Sequence, residues 1–152
     1  PTRPEPEQSD NRLVYLDDER MTDREEFLTW FRTALYDAER ALHDGDPALR
    51  RALWSRTEPV SVLGAWRNAN GQQQLNELFA SLGESFSNCM SFEFELLAYD
   101  VIGDMGYTAG FEHTSASVDG QPRTYTLRVT RCPLLVMSSP PALRPTSVLA
   151  VK

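Results

Sequence analysis

The stretch from Phe92 to Arg131 constrains the fold more than any other part of the sequence, because it is typical of three long antiparallel strands joined by two tight turns. The first turn falls at Gly103-Asp104, where glycine tolerates the positive φ that a two-residue hairpin loop requires. We therefore expect Ile102 to pair with Met105. Continuing this register pairs Phe92, Phe94, Leu96, Ala98 and Asp100 with Ser115, His113, Phe111, Ala109 and Tyr107, respectively.

The second turn, at Asp119-Gly120-Gln121, allows two registers. A two-residue loop places Phe111 opposite Arg128 and Glu112 opposite Leu127. A three-residue loop, with Gly120 in the left-handed conformation, places Phe111, His113, Ser115 and Glu112 opposite Val129, Leu127, Tyr125 and Arg128. A slip of one residue moves every side chain to the other face of a sheet. We select the three-residue loop because it matches apolar residues with apolar residues.

These registers give the predicted sheet two different faces. The predicted core face carries Phe92, Phe94, Leu96, Ala98, Met105, Ala109, Phe111, Tyr125, Leu127 and Val129, with Asp100, Tyr107 and His113 among them. The predicted outer face carries Glu93, Glu95, Leu97, Tyr99, Val101, Thr108, Gly110, Glu112, Thr114, Thr126, Arg128 and Thr130. A monomer has little reason to display the apolar cluster near Tyr99, so we expect another chain to cover it.

Composition limits the functional class. A chain of 152 residues is long enough for one domain with a proper core. Its net charge of −7 argues against nucleic acids and anionic membrane surfaces as partners. No apolar run approaches the ~18 residues that a membrane-spanning helix needs, and no signal peptide is visible. Cys89 and Cys132 have no metal or redox spacing and there are two histidines, so we expect a cytoplasmic protein without metal or cofactor.

The chain divides into three parts. Residues 1–20 are polar and predict a disordered lead-in, residues 21–131 form the domain, and residues 132–152 form an atypical tail that could supply a last strand. The tandem prolines Pro140 and Pro141 exclude a regular central strand across that point. All 22 acidic residues lie at or before Asp119. Two explanations of the tail remain open: a diverged ending or a shifted reading frame in the gene.

Three helices are predicted ahead of the meander. Thr22 and Glu25 have the spacing of a capping box that starts the first helix, and Gly45 ends it. Asp46 and Pro47 then suit the N-cap and first turn of a second, short helix. Residues 60–66 predict a short strand ending in an aromatic residue. A third helix follows, with Leu75, Leu78, Phe79, Leu82 and Phe86 on one face.

This order of elements resembles the NTF2-like superfamily, and most closely its SnoaL-like or ketosteroid-isomerase-like branch, over about residues 22–131. The segments that carry the resemblance are His43-Asp44-Gly45-Asp46-Pro47, Leu53-Trp54-Ser55, Val62-Leu63-Gly64-Ala65-Trp66 and Asp104 to His113. The resemblance implies an α+β, cystatin-like cone in which three helices pack on a curved antiparallel sheet. It also implies a pocket between sheet and helices, and a homodimer formed through the outer sheet face. Because this fold hosts many unrelated activities, it does not by itself specify a reaction.

One departure from the family limits what can be carried over. Ketosteroid isomerases have an aspartate base on the short strand, whereas the matching positions here hold Leu63 and Gly64, which cannot take a proton. From the predicted core face we take His113, Asp100 and Tyr107 as candidate catalytic residues. An imidazole suits proton transfer near neutral pH, a carboxylate on an apolar face has a raised pKa, and a phenol can donate to a carbonyl. Each has a structural alternative: a hydrogen-bonded rim histidine, a solvated aspartate at a strand end and a space-filling tyrosine.

Five aromatic residues are candidate ligand contacts: Trp54, Trp66, Phe94, Phe111 and Tyr125. Their structural alternative is that they fill the core. The leading hypothesis is a small-molecule-binding protein of unassigned activity whose ligand is a small apolar or polyketide-like molecule. The alternatives are a cofactor-independent dehydratase or isomerase and a noncatalytic dimeric partner module. An open cavity with convergent polar groups would favour the first two, and a filled cone the third.

Overall fold

The computed structural model describes residues 22–136 and 142–151, with side chains described up to Pro133. The predicted lead-in and the tandem prolines therefore lie outside the described residues. The helical segments are α1 (Asp23–Trp30), a π-helical turn (Phe31–Leu35), α2 (Tyr36–His43), α3 (Ala48–Leu53) and α4 (Gly71–Ser85). The strands are β1 (Ser61–Leu63), β2 (Asn68–Asn70), β3 (Phe86–Ile102), β4 (Met105–Val118), β5 (Gln121–Val136) and β6 (Ala142–Val151).

The first helix begins and ends as the sequence predicts, whereas Phe86, predicted on the third helix, is the first residue of β3. Thr22 Oγ1 accepts from the Glu25 backbone N–H at 3.3 Å, and the Glu25 carboxylate accepts from the Thr22 backbone at 2.8 Å, which completes the capping box. From there α1, the π-helical turn and α2 run without a break, so that with α3 and α4 the layer has three helices. Gly45 ends the first of them at a φ of +96°, a conformation that favours glycine.

The strands form one six-stranded sheet in the order β2-β1-β6-β5-β4-β3. The three predicted meander strands are its longest, and β6 lies between β5 and β1, antiparallel to the first and parallel to the second. The segment 142–151 therefore supplies a strand inside the sheet. Within the described residues no helix is long and apolar enough to cross a membrane.

The first hairpin keeps the predicted register only near its turn. Ile102 pairs with Met105, and the pairs Asp100 with Tyr107 and Ala98 with Ala109 also form as predicted. A bulge between Leu96 and Ala98 then shifts the ladder by one residue. As a result the predicted partners of Phe92, Phe94 and Leu96 are wrong. These three residues pair with Thr114, Glu112 and Gly110 instead.

The second hairpin has the two-residue loop, and the predicted three-residue loop is wrong. Asp119 and Gly120 both have positive φ, 50° and 74°, as a tight hairpin turn of two residues requires. Val118 then pairs with Gln121. Down the ladder, Phe111, Glu112, His113 and Ser115 pair with Arg128, Leu127, Thr126 and Thr124. Asp-Gly is among the strongest sequence signals for this turn, and it outweighs the apolar match that favoured the longer loop.

Together the bulge and the shorter loop exchange the two faces of β4: the residues predicted to face outward face the helices, and the reverse. Thr108, Glu112 and Thr114 face the helices and are buried, although the sequence placed them on the outer face. Residues Met105, Tyr107, Ala109, Phe111 and His113 face outward, although the sequence placed them in the core. On β5, by contrast, Leu127 and Val129 are buried as predicted. The helix-facing side of the sheet packs into a core formed by Leu42, Trp54, Val60, Leu75, Phe79, Phe86, Leu127 and Val129.

Candidate functional site

A cavity of about 450 Å³ lies between the helices and the sheet. Its walls come from α2, α3 and α4 on one side, from β4 and β5 on the other, and from the segment that follows β1. The described residues that line it are Glu39, Leu42, His43, Arg50, Trp54, Val62, Gly64, Ala65, Trp66, Arg67, Leu78, Phe79, Ser81, Leu82, Ser85, Phe86, Glu112, Val118, Asp119, Leu127, Val129 and Arg131. This volume falls in the range of small-molecule sites.

Four buried charged side chains meet at one wall of this cavity. Glu39 on α2 accepts from Arg50 Nε at 2.7 Å and from Arg131 Nη2 at 3.2 Å. Arg131 Nη2 also donates to Glu112 on β4, so one guanidinium bridges two carboxylates from different layers. All four residues are at most 5% exposed. We call Glu39, Arg50, Glu112 and Arg131 the ionic cluster; its two positive and two negative charges balance.

The electrostatics of the ionic cluster keep Glu39 and Arg131 charged at neutral pH. Burial by itself raises the pKa of Glu39, but the charges of Arg50 and Arg131 outweigh it and hold that pKa below its ordinary value. Burial lowers the pKa of Arg131 to about 10, while the Glu39 carboxylate opposes the shift. Arg131 therefore remains a cation near pH 7. The planar guanidinium suits this bridging role because it offers several donors in fixed directions.

His43 lies beside the ionic cluster and also lines the cavity. Its Nδ1 is 2.8 Å from the backbone carbonyl oxygen of Glu39. Since a carbonyl can only accept, Nδ1 carries the proton, and Nε2 of the neutral ring is left with a lone pair. Burial lowers the pKa of His43, and the nearby Glu39 carboxylate offsets only part of that shift. His43 is therefore a neutral imidazole at pH 7, and its ring centroid lies 4.6 Å from that of Phe86 and 5.1 Å from that of Phe92.

Two tryptophans, both candidate ligand contacts from the sequence, supply aromatic surface to the cavity. Trp54 is 2% exposed, and the Arg50 guanidinium lies 4.7 Å from its ring centroid. Trp66, which is 54% exposed, lies at the rim. Tyr125 does not line the cavity. Its ring packs against that of Trp66, with the two rings perpendicular and their centroids 5.4 Å apart. Burial raises the pKa of Tyr125.

The predicted placement of His113 in the cavity wall is wrong. His113 lies on the outer face, where Nδ1 is 2.9 Å from Thr126 Oγ1 and Nε2 is 2.8 Å from Glu95 Oε2. The shorter hairpin loop is the cause, because it pairs His113 with Thr126 rather than with Leu127. Asp100 and Tyr107 follow it outward, since the bulge in β3 reverses the faces beyond Leu96. Asp100 contacts Arg24 at 3.4 Å, with about half of its side chain exposed.

Two predicted ligand contacts also lie outside the cavity wall. Phe111 is on the outer face beside His113, with ring centroids 6.3 Å apart, for the same reason of register. Phe94 does face the helices, but it packs against Phe31 at 4.5 Å and beneath the Arg131 guanidinium at 5.1 Å. Phe94 therefore supports the ionic cluster without lining the cavity.

Sequence reasoning missed the ionic cluster because its members are spread along the chain. The one available signal was Glu112: with the two-residue loop at Asp119-Gly120, this carboxylate turns inward and needs a buried cation. Arg131 lies four residues beyond Glu112's partner Leu127 on β5, at a position of the same parity. Within the described residues no group of three or more His, Cys, Asp or Glu side chains is placed to hold a metal ion.

Solved structures with the same architecture are numerous. An NTF2-like superfamily protein from Salmonella enterica superposes with a TM-score of 0.67 at 18% identity, covering 82% of this chain and 87% of that one. The chain has the NTF2-like fold. A candidate dehydratase of the NTF2-like family from Streptomyces avermitilis gives 0.59 at 18% identity, over 83% and 93% of the two chains. A ketosteroid isomerase-like protein from Erwinia carotovora atroseptica gives 0.60 at 16%, over 84% and 96%.

The resemblance predicted from the sequence is thus confirmed as an NTF2-like, cystatin-like fold of the α+β class. No protein-family model matches the sequence, and no curated protein matches it either. These NTF2-like structures are less than one fifth identical to this chain, so they establish its fold only. The activity of the chain has to be argued from its own residues.

Proposed function

We propose that this NTF2-like protein binds a small, mostly apolar molecule in the cavity between its helices and its sheet. The observation that carries the proposal is the cavity itself: about 450 Å³, with polar groups gathered at the ionic cluster and apolar side chains over most of the remaining wall. Sites for small molecules typically combine an apolar lining with a few convergent polar groups. A cone filled by its aromatic residues would instead have favoured a noncatalytic partner module.

The cavity walls suit a ligand with an apolar body and one polar end that lies at the ionic cluster. Leu78, Phe79 and Leu82 line the cavity from α4, and Leu127 and Val129 line it from the sheet. Burial of apolar ligand surface against such side chains contributes roughly 25 cal/mol per Å² before the costs of association. Trp66 at the rim adds a large exposed ring that would lose contact with water when a ligand is bound.

Titration with the uncharged fluorescent probe N-phenyl-1-naphthylamine tests this proposal. We expect saturable binding with increased fluorescence. The variant Ala65→Phe places a phenyl ring in the cavity, where Ala65 is half-buried, and should weaken binding by about tenfold or more. Its matched control is Ala34→Phe on the exposed side of the π-helical turn, which should bind as the unchanged protein does. Absence of saturable binding, or equal weakening by both variants, would contradict the proposal.

His43 supports a second candidate function, a cofactor-independent dehydratase or isomerase acting by proton transfer. A neutral imidazole with a free Nε2 lone pair at a cavity wall has the protonation state of a general base. The ligand's acidic C–H would transfer its proton to Nε2, and the resulting imidazolium would be stabilised by Glu39. In this reading His43 takes the role that the sequence assigned to His113.

Deuterium exchange into a model ketone tests the second function without knowledge of the natural substrate. We expect the protein to accelerate exchange at the acidic carbons of 2-tetralone in D₂O above the buffer rate, as measured by proton NMR. His43→Gln should remove the acceleration, whereas His113→Gln should retain it because His113 lies on the outer face. Exchange at the buffer rate, or acceleration that survives His43→Gln, would exclude His43 as the base.

A further inference from the structure

We propose that the cavity selects an uncharged ligand bearing a carbonyl-type oxygen, and that it discriminates against the same framework ending in a carboxylate. This inference rests on the proposed function and names the chemical class of its ligand. Two observations carry it: the balance of charge around the cavity and the kind of polar atom left without a partner there.

The formal charges around the cavity cancel among the described side chains. Its lining includes three carboxylates, from Glu39, Glu112 and Asp119, and three guanidinium groups, from Arg50, Arg67 and Arg131. Arg50 and Arg131 already face Glu39, and Arg67 contacts Glu77 at 3.4 Å, so each cation has a carboxylate partner. Since His43 is neutral at pH 7, a bound anion would find no unneutralised cation among these groups.

Among the described residues that line the cavity, the buried side-chain atoms left without a partner are donors. Arg50 Nη1, Arg131 Nε and Trp54 Nε1 are buried without a hydrogen-bond partner, and all three residues line the cavity. Among the described side chains, no buried carboxylate oxygen lacks a partner. A buried donor without an acceptor is costly. A ligand group that brings an acceptor oxygen to this wall therefore satisfies a need that the chain's own side chains leave open.

A neutral acceptor meets that need without adding charge. A carbonyl oxygen of an amide, ketone or ester accepts hydrogen bonds from guanidinium and indole groups and keeps the cavity neutral. A carboxylate accepts them as well, but it must lose its hydration, and it enters a wall whose cations are already neutralised. The net charge of −7 on the whole chain adds a long-range penalty for an approaching anion.

A matched pair of ligands tests the inference: 2-naphthamide and 2-naphthoate share one aromatic framework and differ in charge. Their dissociation constants are measured at pH 8 by displacement of bound N-phenyl-1-naphthylamine. We expect the amide to bind more tightly than the carboxylate by about tenfold or more. Equal affinities, a tighter carboxylate, or failure of both compounds to displace the bound probe would overturn the inference. Failure of the probe itself to bind would instead overturn the proposed function.

A pair of isosteric variants then locates the source of the discrimination. Glu112→Gln removes one negative charge from the cavity wall and should strengthen 2-naphthoate binding by about tenfold while leaving 2-naphthamide within about twofold. Glu93→Gln removes the same charge from an exposed residue of β3 outside the cavity and should change neither. Equal responses to the two variants would contradict a role for the cavity wall. If Glu112→Gln does not fold, the comparison of the two ligands on the unchanged protein still decides.

Discussion

Arg131 Nη2 donates to Glu39 Oε1 at 3.2 Å and so joins two residues that lie 92 positions apart in the sequence. The contact connects α2 with β5, and the bond from Arg131 to Glu112 extends it to β4. The ionic cluster therefore connects the helical layer to the sheet at the charged wall of the cavity. Its removal should affect the stability of the fold as well as the site.

Glu39→Gln should destabilise the protein by about 3 kcal/mol, because it leaves two buried guanidinium groups with one carboxylate. The free energy of unfolding is measured from urea denaturation. Glu77→Gln is the control: its partner Arg67 and Glu77 itself are about half exposed, and surface pairs of this kind contribute under about 1 kcal/mol. Similar losses for the two variants would show that Glu39 is not held as described.

The free energy of unfolding should decrease as the pH falls from 7.5 to 5.5. The folded-state pKa of His43 lies below the ordinary value of 6.5, so the unfolded chain takes up a proton that the folded chain refuses. Stability is thus lost as the pH falls through about 6.5. The pKa of Glu39 is also lowered from its ordinary value of 4.5, which adds a further loss only below that pH.

Two histidine variants assign this pH dependence. His43→Gln removes the buried titrating group and should flatten the dependence between pH 7.5 and 5.5. His113→Gln leaves His43 in place and should preserve it. Urea denaturation at several pH values gives both slopes, and a slope that is unchanged in His43→Gln would contradict the assignment to this buried imidazole.

We also propose that the chain forms a homodimer through its outer sheet face, by contacts other than those predicted from the sequence. Thr108 and Gly110 face the helices, and Tyr99 lies under the Arg24 guanidinium at 4.1 Å. The apolar residues on the outer face are instead Leu97, Ala98, Ile102, Met105, Tyr107, Ala109 and Phe111. Leu97 and Ile102 are 65% and 70% exposed, which favours cover by a second copy.

Phe111→Arg should convert this homodimer into a folded monomer, because a two-fold interface would bring two new charges onto an apolar surface. Sedimentation equilibrium at micromolar concentration measures the mass. Leu49→Arg is the control, since Leu49 is 50% exposed on α3, which belongs to the helical layer, and it should leave the dimer intact. A monomer for the unchanged protein would contradict the proposed assembly.

Gly106→Ala tests which way β4 faces. A Cβ at Gly106 would lie 2.8 Å from the ring of Phe27 on α1, so the substitution overpacks the layer and should destabilise by about 1–3 kcal/mol. Phe27→Leu in the same chain should relieve part of that specific loss, measured as a coupling energy in a double-mutant cycle. If β4 faced as the sequence predicted, Gly106 would point outward, Ala would be harmless and no coupling would be found.

Local signals in this sequence predicted the elements well. The Thr22 capping box, the stop at Gly45 and the Ile102–Met105 pairing all depend on residues close in sequence, whose geometry is set by the backbone. Which face of β4 points toward the helices depends instead on the bulge in β3 and on the length of the loop at Asp119-Gly120. The bulge at Leu97 has no glycine or proline on its own strand; its one signal is Gly110 on β4, where a Cβ would collide with the Glu95 carbonyl oxygen. Apolar residues such as Phe111 alternate along β4 as core residues would, yet they face outward.

The candidate site could not be predicted from the sequence for the same reason. Glu112 and Thr114 face inward although they are polar, and Glu112 is compensated by Arg131 from another strand. Periodicity scores each residue by its own polarity, so it cannot recognise a buried carboxylate whose partner lies elsewhere. Trp54 and Trp66, which the sequence offers as candidate ligand contacts, line the cavity, whereas the ionic cluster and His43 required the tertiary structure.

We expect the cavity between helices and sheet to receive a small uncharged ligand. The indole N–H signals of the chain's three tryptophans, observed in a ¹H–¹⁵N correlation spectrum during titration with 2-naphthamide, test it most directly. Trp54 and Trp66 line the cavity, whereas Trp30 stacks on Phe27 at 5.9 Å in α1. We expect the Trp54 and Trp66 signals to shift with one saturation curve while the Trp30 signal stays in place. Three unmoved signals, or a shift of Trp30 alone, would contradict the claim.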